Sequence, residues 1–301
     1  MNRRPKRLAC SASALHEWTR KGTGHGIRFL ATDLDGTLLT SGKCITDHTK
    51  RILIEAQNRG LTVILASGRP LYSILPFANE LELDKHHGFV IAYNGGLVYD
   101  CKSRETIYEE TIPACMIPAL RAAVPSENFR LHGYRGNSIV VQGEPDEWSN
   151  YIARANKMPL LKADDFVEAI VEPQHKCLVT GAPRRLWHLE KKINRLFEAS
   201  LSAYRSESFL LEVVPKGIDK AGSLRKLLAI LNGETEELLC CGDGYNDIGM
   251  MQLGGLSCAT SNAKRPVKQI ASFVTDSNDS DGVALAVECL LKANTYAPAS
   301  Q

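Results

Sequence analysis

Short apolar runs alternating with helical patterns organise this chain. Residues 27–31, 61–66 and 89–93 are continuous apolar runs of strand length. Between the first two, residues 47–59 predict a helix capped by Thr46 and closed by Gly60. A second helix is predicted from Pro70 to about Glu80, with proline in its first turn. Strands without polar alternation are buried on both faces, so the pattern predicts a parallel sheet covered by helices. From about residue 97 to residue 209 the character changes. Strands are predicted near 97–100, 106–111, 129–132, 138–142, 176–180 and 204–214, and helices over 113–124, 146–157 and 184–197. The last of these carries Leu186, Leu189, Ile193 and Leu196 on one face. The parallel pattern then resumes, with strands at 238–242, 256–259 and 272–275 and helices from Lys220, near 264–270 and over 282–292. The expected architecture is α/β: a Rossmann-like, doubly wound parallel sheet interrupted by an α/β insert. The expected boundaries are a basic, disordered extension over 1–26, a core domain from 27–97 and 210–295, the insert over 98–209, and a tail over 296–301.

Composition narrows the partners. The chain has 301 residues, 44% hydrophobic and 23% charged, enough for two domains with sizeable cores. A net charge of +2 gives no argument for a nucleic-acid or membrane partner. Nine cysteines without a C-x-x-C pair read as reduced thiols of a cytoplasmic protein. The first 26 residues hold Arg3, Arg4, Lys6, Arg7, Arg20 and Lys21 against Glu17, which leaves an organelle transit peptide as the alternative. The glycines of 22–26 precede a strand instead of following one, so they fail the context of a dinucleotide-binding loop.

The candidate chemistry sits at strand ends. In an open parallel sheet, sites lie at the carboxyl ends of the strands. Asp33, Ser67 and Asn94 each follow an apolar run there. Asp33 and Asp35 are separated by one residue, and Gly36 follows them as a turn residue. Two carboxylates this close oppose each other's ionisation, and a hard divalent cation such as Mg²⁺ relieves the conflict. One carboxylate can then act as nucleophile and the other as acid and base. Asp-x-Asp-Gly by itself is also ordinary turn chemistry.

The full string from Asp33 through Gly36 to Leu39 resembles the first motif of the haloacid dehalogenase-like (HAD) phosphohydrolases. Three more strings resemble the rest of that family's set in the right order: Ser67-Gly68-Arg69-Pro70, Lys220 in 213–221, and Gly242-Asp243-Gly244-Tyr245-Asn246-Asp247. The resemblance covers about residues 27–292. It implies a Mg²⁺-dependent phosphatase acting on small phosphomonoesters, of the sugar phosphate, flavin mononucleotide or pyridoxal phosphate class, through an aspartyl-phosphate. It implies Asp33 as nucleophile and Asp35 as acid and base. Ser67, the Gly68 backbone, Lys220 and Asn246 would bind the phosphoryl group; Asp33, Asp35 (through its carbonyl), Asp243 and Asp247 would serve the metal. Lys216 competes with Lys220 for the cation role. The insert's place between the second and third motifs, with Asn262-Ala263 and 281–284, resembles the Cof-type branch, subclass IIB, whose cap (type C2B) would close over the site. Thr260-Ser261 and Gly249 depart from the branch's common pattern. Within the cap, His132, Tyr134, Arg135, Lys176 and Arg205 are the candidates for setting specificity. Alternatives are a phosphosugar mutase resembling phosphomannomutase, and a catalytically silent phosphometabolite-binding protein. Oligomeric state and substrate identity are not legible in the sequence.

Overall fold

The computed structural model describes residues 26–292. The extension, the 22–26 glycine stretch before Gly26 and the tail expected over 296–301 lie outside the described residues. The described residues divide into two compact units, residues 26–108 with 219–292, and residues 109–218.

In chain order, the first unit begins with β1 (Phe29–Thr32), α1 (Asp47–Asn58), β2 (Thr62–Ala66), α2 (Leu71–Glu80), β3 (Phe89–Ala92), β4 (Leu97–Asp100) and β5 (Glu105–Glu109). The insert follows with α3 (Ile117–Ala123), β6 (Phe129–Arg135), β7 (Ser138–Gln142), α4 (Glu147–Asn156), β8 (Leu160–Ala163), α5 (Phe166–Ala169), β9 (Cys177–Gly181), α6 (Pro183–Leu196), β10 (Leu201–Glu207) and β11 (Leu210–Pro215). The first unit then resumes with α7 (Lys220–Ile230), β12 (Leu238–Gly242), α8 (Ile248–Leu253), β13 (Leu256–Ala259), α9 (Arg265–Ile270), β14 (Phe273–Val274) and α10 (Gly282–Lys292).

The first unit's sheet has the order β14-β13-β12-β1-β2-β3-β4-β5. It is parallel from β14 to β3, and β4 pairs antiparallel with β3. Alternate residues of each buried strand feed two cores. Leu30, Val63 and Leu65 join a cluster with Leu53 and Ala56 of α1, Phe77 of α2 and Val287 of α10. Phe29, Ala31 and Ile64 join another with Leu224 and Leu228 of α7, Met250 of α8 and Val267 of α9. Such double coverage is what continuous apolar strands require. The chain winds from β1 toward β3, then returns through β12 on the other side of β1. The β1/β12 boundary is therefore a switch point, where a crevice opens beyond the carboxyl ends of the strands.

The insert's sheet runs β10-β11-β9-β6-β7-β8. One face packs Leu131, Val179, Leu211 and Val213 against Ile117 and Leu120 of α3 and Leu186, Leu189 and Ile193 of α6. Asp146 caps α4 in a reciprocal box with Ser149.

Two expected boundaries are corrected. Residues 98–108, expected in the insert, carry most of β4 and β5, which extend the first unit's sheet. Residues 210–218 belong to the insert, because β11 pairs with both β9 and β10. The single strand expected over 204–214 is a hairpin. Its turn, Ser208-Phe209, lacks the glycine or asparagine that marks such turns in sequence. No helix among the described residues is long and apolar enough to cross a membrane.

Candidate active site

The loop after β1 is folded tightly on itself. Leu38 N–H donates to Asp33 O at 3.2 Å and Leu39 N–H to Leu34 O at 2.8 Å. Gly36 makes the bend at φ +81°, and a Cβ there would lie 2.6 Å from Asp243 Oδ2. Glycine is thus required both for the backbone angle and for the close approach of Asp243. Asn262 Nδ2 and Thr260 Oγ1 donate to Gly36 O at 2.8 and 3.2 Å. Thr260, one of the departures noted in the sequence, therefore supports this loop.

Asp33 is anchored to the neighbouring strand by its N–H, which donates to Cys241 O at 3.0 Å. Its side chain meets Lys220, whose ammonium donates to Asp33 Oδ1 at 2.5 Å and to Asp247 Oδ1 at 2.7 Å. These three residues are 6%, 1% and 0% exposed, so the contacts are screened little by water. The other oxygen of Asp247 accepts the N–H groups of Asp243 and Gly244 at 3.0 and 2.9 Å, which fixes the loop after β12. Asp243 Oδ1 accepts the Thr37 hydroxyl at 2.8 Å. Lys220 opens α7, whose cap, Asp219, accepts Gly222 N–H at 2.6 Å. That helix start is packed against the loop after β3, where a Cβ on Gly95 would fall 2.3 Å from Asp219 O. Lys216 is exposed, so the structure favours Lys220 of the two candidates.

Oxygens of Asp33, Asp243 and Asp247 all lie within 4.8 Å of one another. Three carboxylates against the one ammonium of Lys220 leave two negative charges if all ionise. Burial pushes the Asp33 carboxyl up to about 8; Lys220 opposes the rise, and Asp247 and Asp243 add to it. Asp243 is raised too, by burial and by Asp247, against its bond from Thr37. Burial works against the charge of Lys220, yet Asp247 and Asp33 outweigh it and hold the ammonium protonated beyond its usual range. Crowded all-oxygen donors short of positive charge are what a hard divalent cation satisfies, so the residues present fit one.

Asp35 behaves differently from its neighbour. Its side chain is turned to Arg69, which donates through Nε at 2.6 Å and Nη2 at 2.7 Å, and to Lys43, which donates at 2.6 Å. Burial would raise its carboxyl, but Arg69 and then Lys43 outweigh it and bring it down to about 2. The carboxylate expected to serve as acid and base is accordingly held outside the three-carboxylate cluster. Ser67 is buried at the end of β2, and its Oγ accepts Arg69 N–H at 3.2 Å. Gly68 lies against the Asn94 side chain, where a Cβ would come within 3.0 Å. Asn246 is exposed and donates to Asn94 Oδ1 at 3.1 Å. Thr37, Lys43 and Asn94 thus join the site beside the residues expected from sequence. Thr37 lay inside the first motif, and Asn94 at a strand end; Lys43 carries no sequence signal.

The insert's candidates divide sharply. His132 is fully buried, with Nε2 2.8 Å from Ser149 Oγ and Nδ1 3.3 Å from Leu178 O. Lys176 is buried and donates to Glu212 at 3.0 Å. Tyr134 is buried, Arg205 pairs with Glu190, and Arg135 is exposed. His132 is thereby a packing residue, contrary to its expected place among the specificity residues.

Comparisons with known proteins agree with this geometry. The family model for haloacid dehalogenase-like hydrolases matches residues 30–287. The chain is 27% identical to the 5-amino-6-(5-phospho-D-ribitylamino)uracil phosphatase YcsE of Bacillus subtilis (strain 168), over 87% of this chain and 94% of that protein. It is 27% identical to the pyridoxal phosphate phosphatase YbhA of Escherichia coli (strain K12), over 85% of this chain and 96% of that one. A crystal structure of a haloacid dehalogenase-like hydrolase from Bacteroides thetaiotaomicron superposes with a TM-score of 0.84, at 38% identity, over 87% of this chain and 98% of that chain. Spanning all four motifs and both units, these matches place the chain in the family of haloacid dehalogenase-like hydrolases.

Proposed function

We propose that the protein is a Mg²⁺-dependent phosphatase that hydrolyses small phosphomonoesters through an aspartyl-phosphate on Asp33. The observation that carries this reading is the cluster of buried Asp33 and Asp247, bridged by Lys220, with half-buried Asp243 beside them at the carboxyl end of the central strand.

Asp33, Asp243 and Asp247 would hold the metal, with the Asp35 carbonyl beside them. When bound, Mg²⁺ supplies positive charge against the phosphoryl oxygens and keeps Asp33 ionised. The Asp33 carboxylate attacks phosphorus, forming the aspartyl-phosphate as the ester P–O bond breaks. Lys220 offsets the charge that gathers as two anions meet, through the same ammonium that already contacts Asp33. Ser67, with its hydroxyl proton, and the Gly68 N–H orient a phosphoryl oxygen; the Asn246 amide steadies another. Asp35 gives its proton to the departing alkoxide. It then takes a proton from the water that attacks phosphorus and frees Asp33 and inorganic phosphate. At about 2 in the arrangement described, Asp35 carries no proton at neutral pH, so it must part from Arg69 and Lys43 to act as the acid.

Relatives named as phosphatases of a ribitylamino-uracil phosphate and of pyridoxal phosphate support small metabolite monoesters as the substrate class. The test is a panel of such esters offered to purified protein with Mg²⁺ or with EDTA, beside Asp33→Asn. The expected outcome is phosphate release that EDTA suppresses and that the substitution lowers by at least about 10³-fold. Absence of release from every ester with Mg²⁺ would overturn the reading.

A further inference from the structure

Lys43 and Arg69 have no part in the chemistry above, yet both are built into place around Asp35. Lys43 stands at the tip of a turn between Thr40 and Cys44, in the left-handed region at φ 59°. Its N–H donates to Thr40 O at 2.8 Å, and Thr40 N–H donates to Cys44 O at 3.0 Å. The turn is clamped from the far side of the chain: Asp279 accepts both the N–H and the hydroxyl of Ser41, each at 2.7 Å. These bonds fix the backbone of the turn, while the Lys43 side chain, 52% exposed, reaches from it to Asp35. Arg69 is fixed as well, with its side chain 11% exposed and its guanidinium 5.8 Å from the centre of the Phe77 ring.

Both cations spend their hydrogen bonds on one carboxylate. Arg69 donates to both oxygens of Asp35, and Lys43 donates to one of them. The three side chains together carry a net charge of +1. Both oxygens of Asp35 are occupied, so it cannot reach a leaving group until these bonds break. Breaking them strips Arg69, 11% exposed, of a bidentate anion, which is costly unless another anion arrives, while half-exposed Lys43 loses less and stands ready for the same anion. Asp35 follows Asp33 by two residues, so the Cα atom of the residue these cations hold lies within about 7 Å of the nucleophile's own Cα.

We propose that Lys43 and Arg69 form a subsite for a second anionic group on the substrate, a carboxylate or a further phosphate near the scissile phosphoryl group. The inference rests on the phosphatase reading and names the substrate class within it. Entry of that group takes over the two cations and releases Asp35 for proton transfer. An ester without it must break the same bonds with nothing to replace them. Selection thus arises from exchange of one anion for another, and a planar guanidinium suits either anion bidentately.

Matched esters test this: glycerol 3-phosphate against 3-phosphoglycerate for the carboxylate, and fructose 6-phosphate against fructose 1,6-bisphosphate for the second phosphate. With native protein, kcat/KM is expected to favour the doubly anionic member of at least one pair by about tenfold or more, the order of one charge-assisted hydrogen bond. Lys43→Met should reduce that preference about tenfold, chiefly through KM, and Lys43→Arg should restore most of it. Raised salt should erode the preference in native protein more than in Lys43→Met. Phosphatase activity with equal preference within both pairs, or a preference that Lys43→Met leaves intact, would overturn the subsite alone. No hydrolysis of any ester would overturn the phosphatase reading and the subsite with it.

Discussion

In the parallel-sheet unit, Asp33 and Asp247 share the ammonium of Lys220 while Asp243 crowds in beside them. In the insert, the buried ammonium of Lys176 meets the buried carboxylate of Glu212 at 3.0 Å, and buried His132 is kept neutral by its surroundings. Both units therefore bury ionisable groups, but the first leaves this carboxylate cluster unbalanced, and the insert pairs Lys176 and neutralises His132. Buried pairs that balance hold a fold together at modest net gain. A buried excess of carboxylates is costly in the free protein: it pushes Asp33 up to about 8, so that a proton offsets the excess near neutral pH where a cation from outside could do so instead. That imbalance, more than burial itself, separates the proposed catalytic site from the structural pair of the insert.

Lys220→Met would deepen the imbalance and should give the largest effect. It leaves Asp33 and Asp247 buried together without their cation and, in the proposed mechanism, removes the charge that would face the transferring phosphoryl group. Phosphate release should fall by about 10²–10³-fold in steady-state assays. Retained activity would show that the cation is structural. In the insert, Glu212→Gln breaks a balanced pair instead, and leaves the Lys176 ammonium without that carboxylate. Denaturant unfolding should show a loss of about 3–5 kcal/mol, while replacing both residues by apolar ones of similar volume should recover most of it. A double variant as unstable as the single one would mean that the pair is not self-contained.

The smallest effect concerns pH. Burial lowers His132 to about 4, against bonds to Leu178 O and the nearby Asp146 that favour its charge. The unfolded chain takes up this proton near 6.5, well above the folded protein. The contribution is therefore fully present above pH 6.5 and is lost as pH falls toward 4, about 3 kcal/mol across the window. His132→Gln should flatten the stability curve between those pH values. Equal slopes for the two proteins would show that other groups govern the acid limb.

These contrasts also explain what the sequence could disclose. Asp33, Ser67, Lys220, Asp243 and Asp247 stand in short strings at strand ends or at a helix start, where local pattern alone fixes their position. The meeting of Asp35 with Lys43 and Arg69 depends on how two loops, 34 residues apart in the Arg69 case, come together, and no local pattern encodes that. The burial of His132 likewise follows from α4 laying Ser149 over β6, a tertiary fact. The insert begins after 108 instead of the expected 97 because β4 and β5 look locally like the insert's strands. An antiparallel extension of a parallel sheet shows only in the pairing.

The most direct measurement is chemical trapping at Asp33. Protein turning over its best ester with Mg²⁺ would be quenched in acid, reduced with borohydride and digested for peptide mass spectrometry. An acyl phosphate on Asp33 is expected to be reduced to the alcohol, so that the peptide carries homoserine at position 33, and Asp33→Asn should give none. Turnover with position 33 unmodified throughout would mean that water attacks the ester directly, and would contradict the assignment of Asp33 as nucleophile.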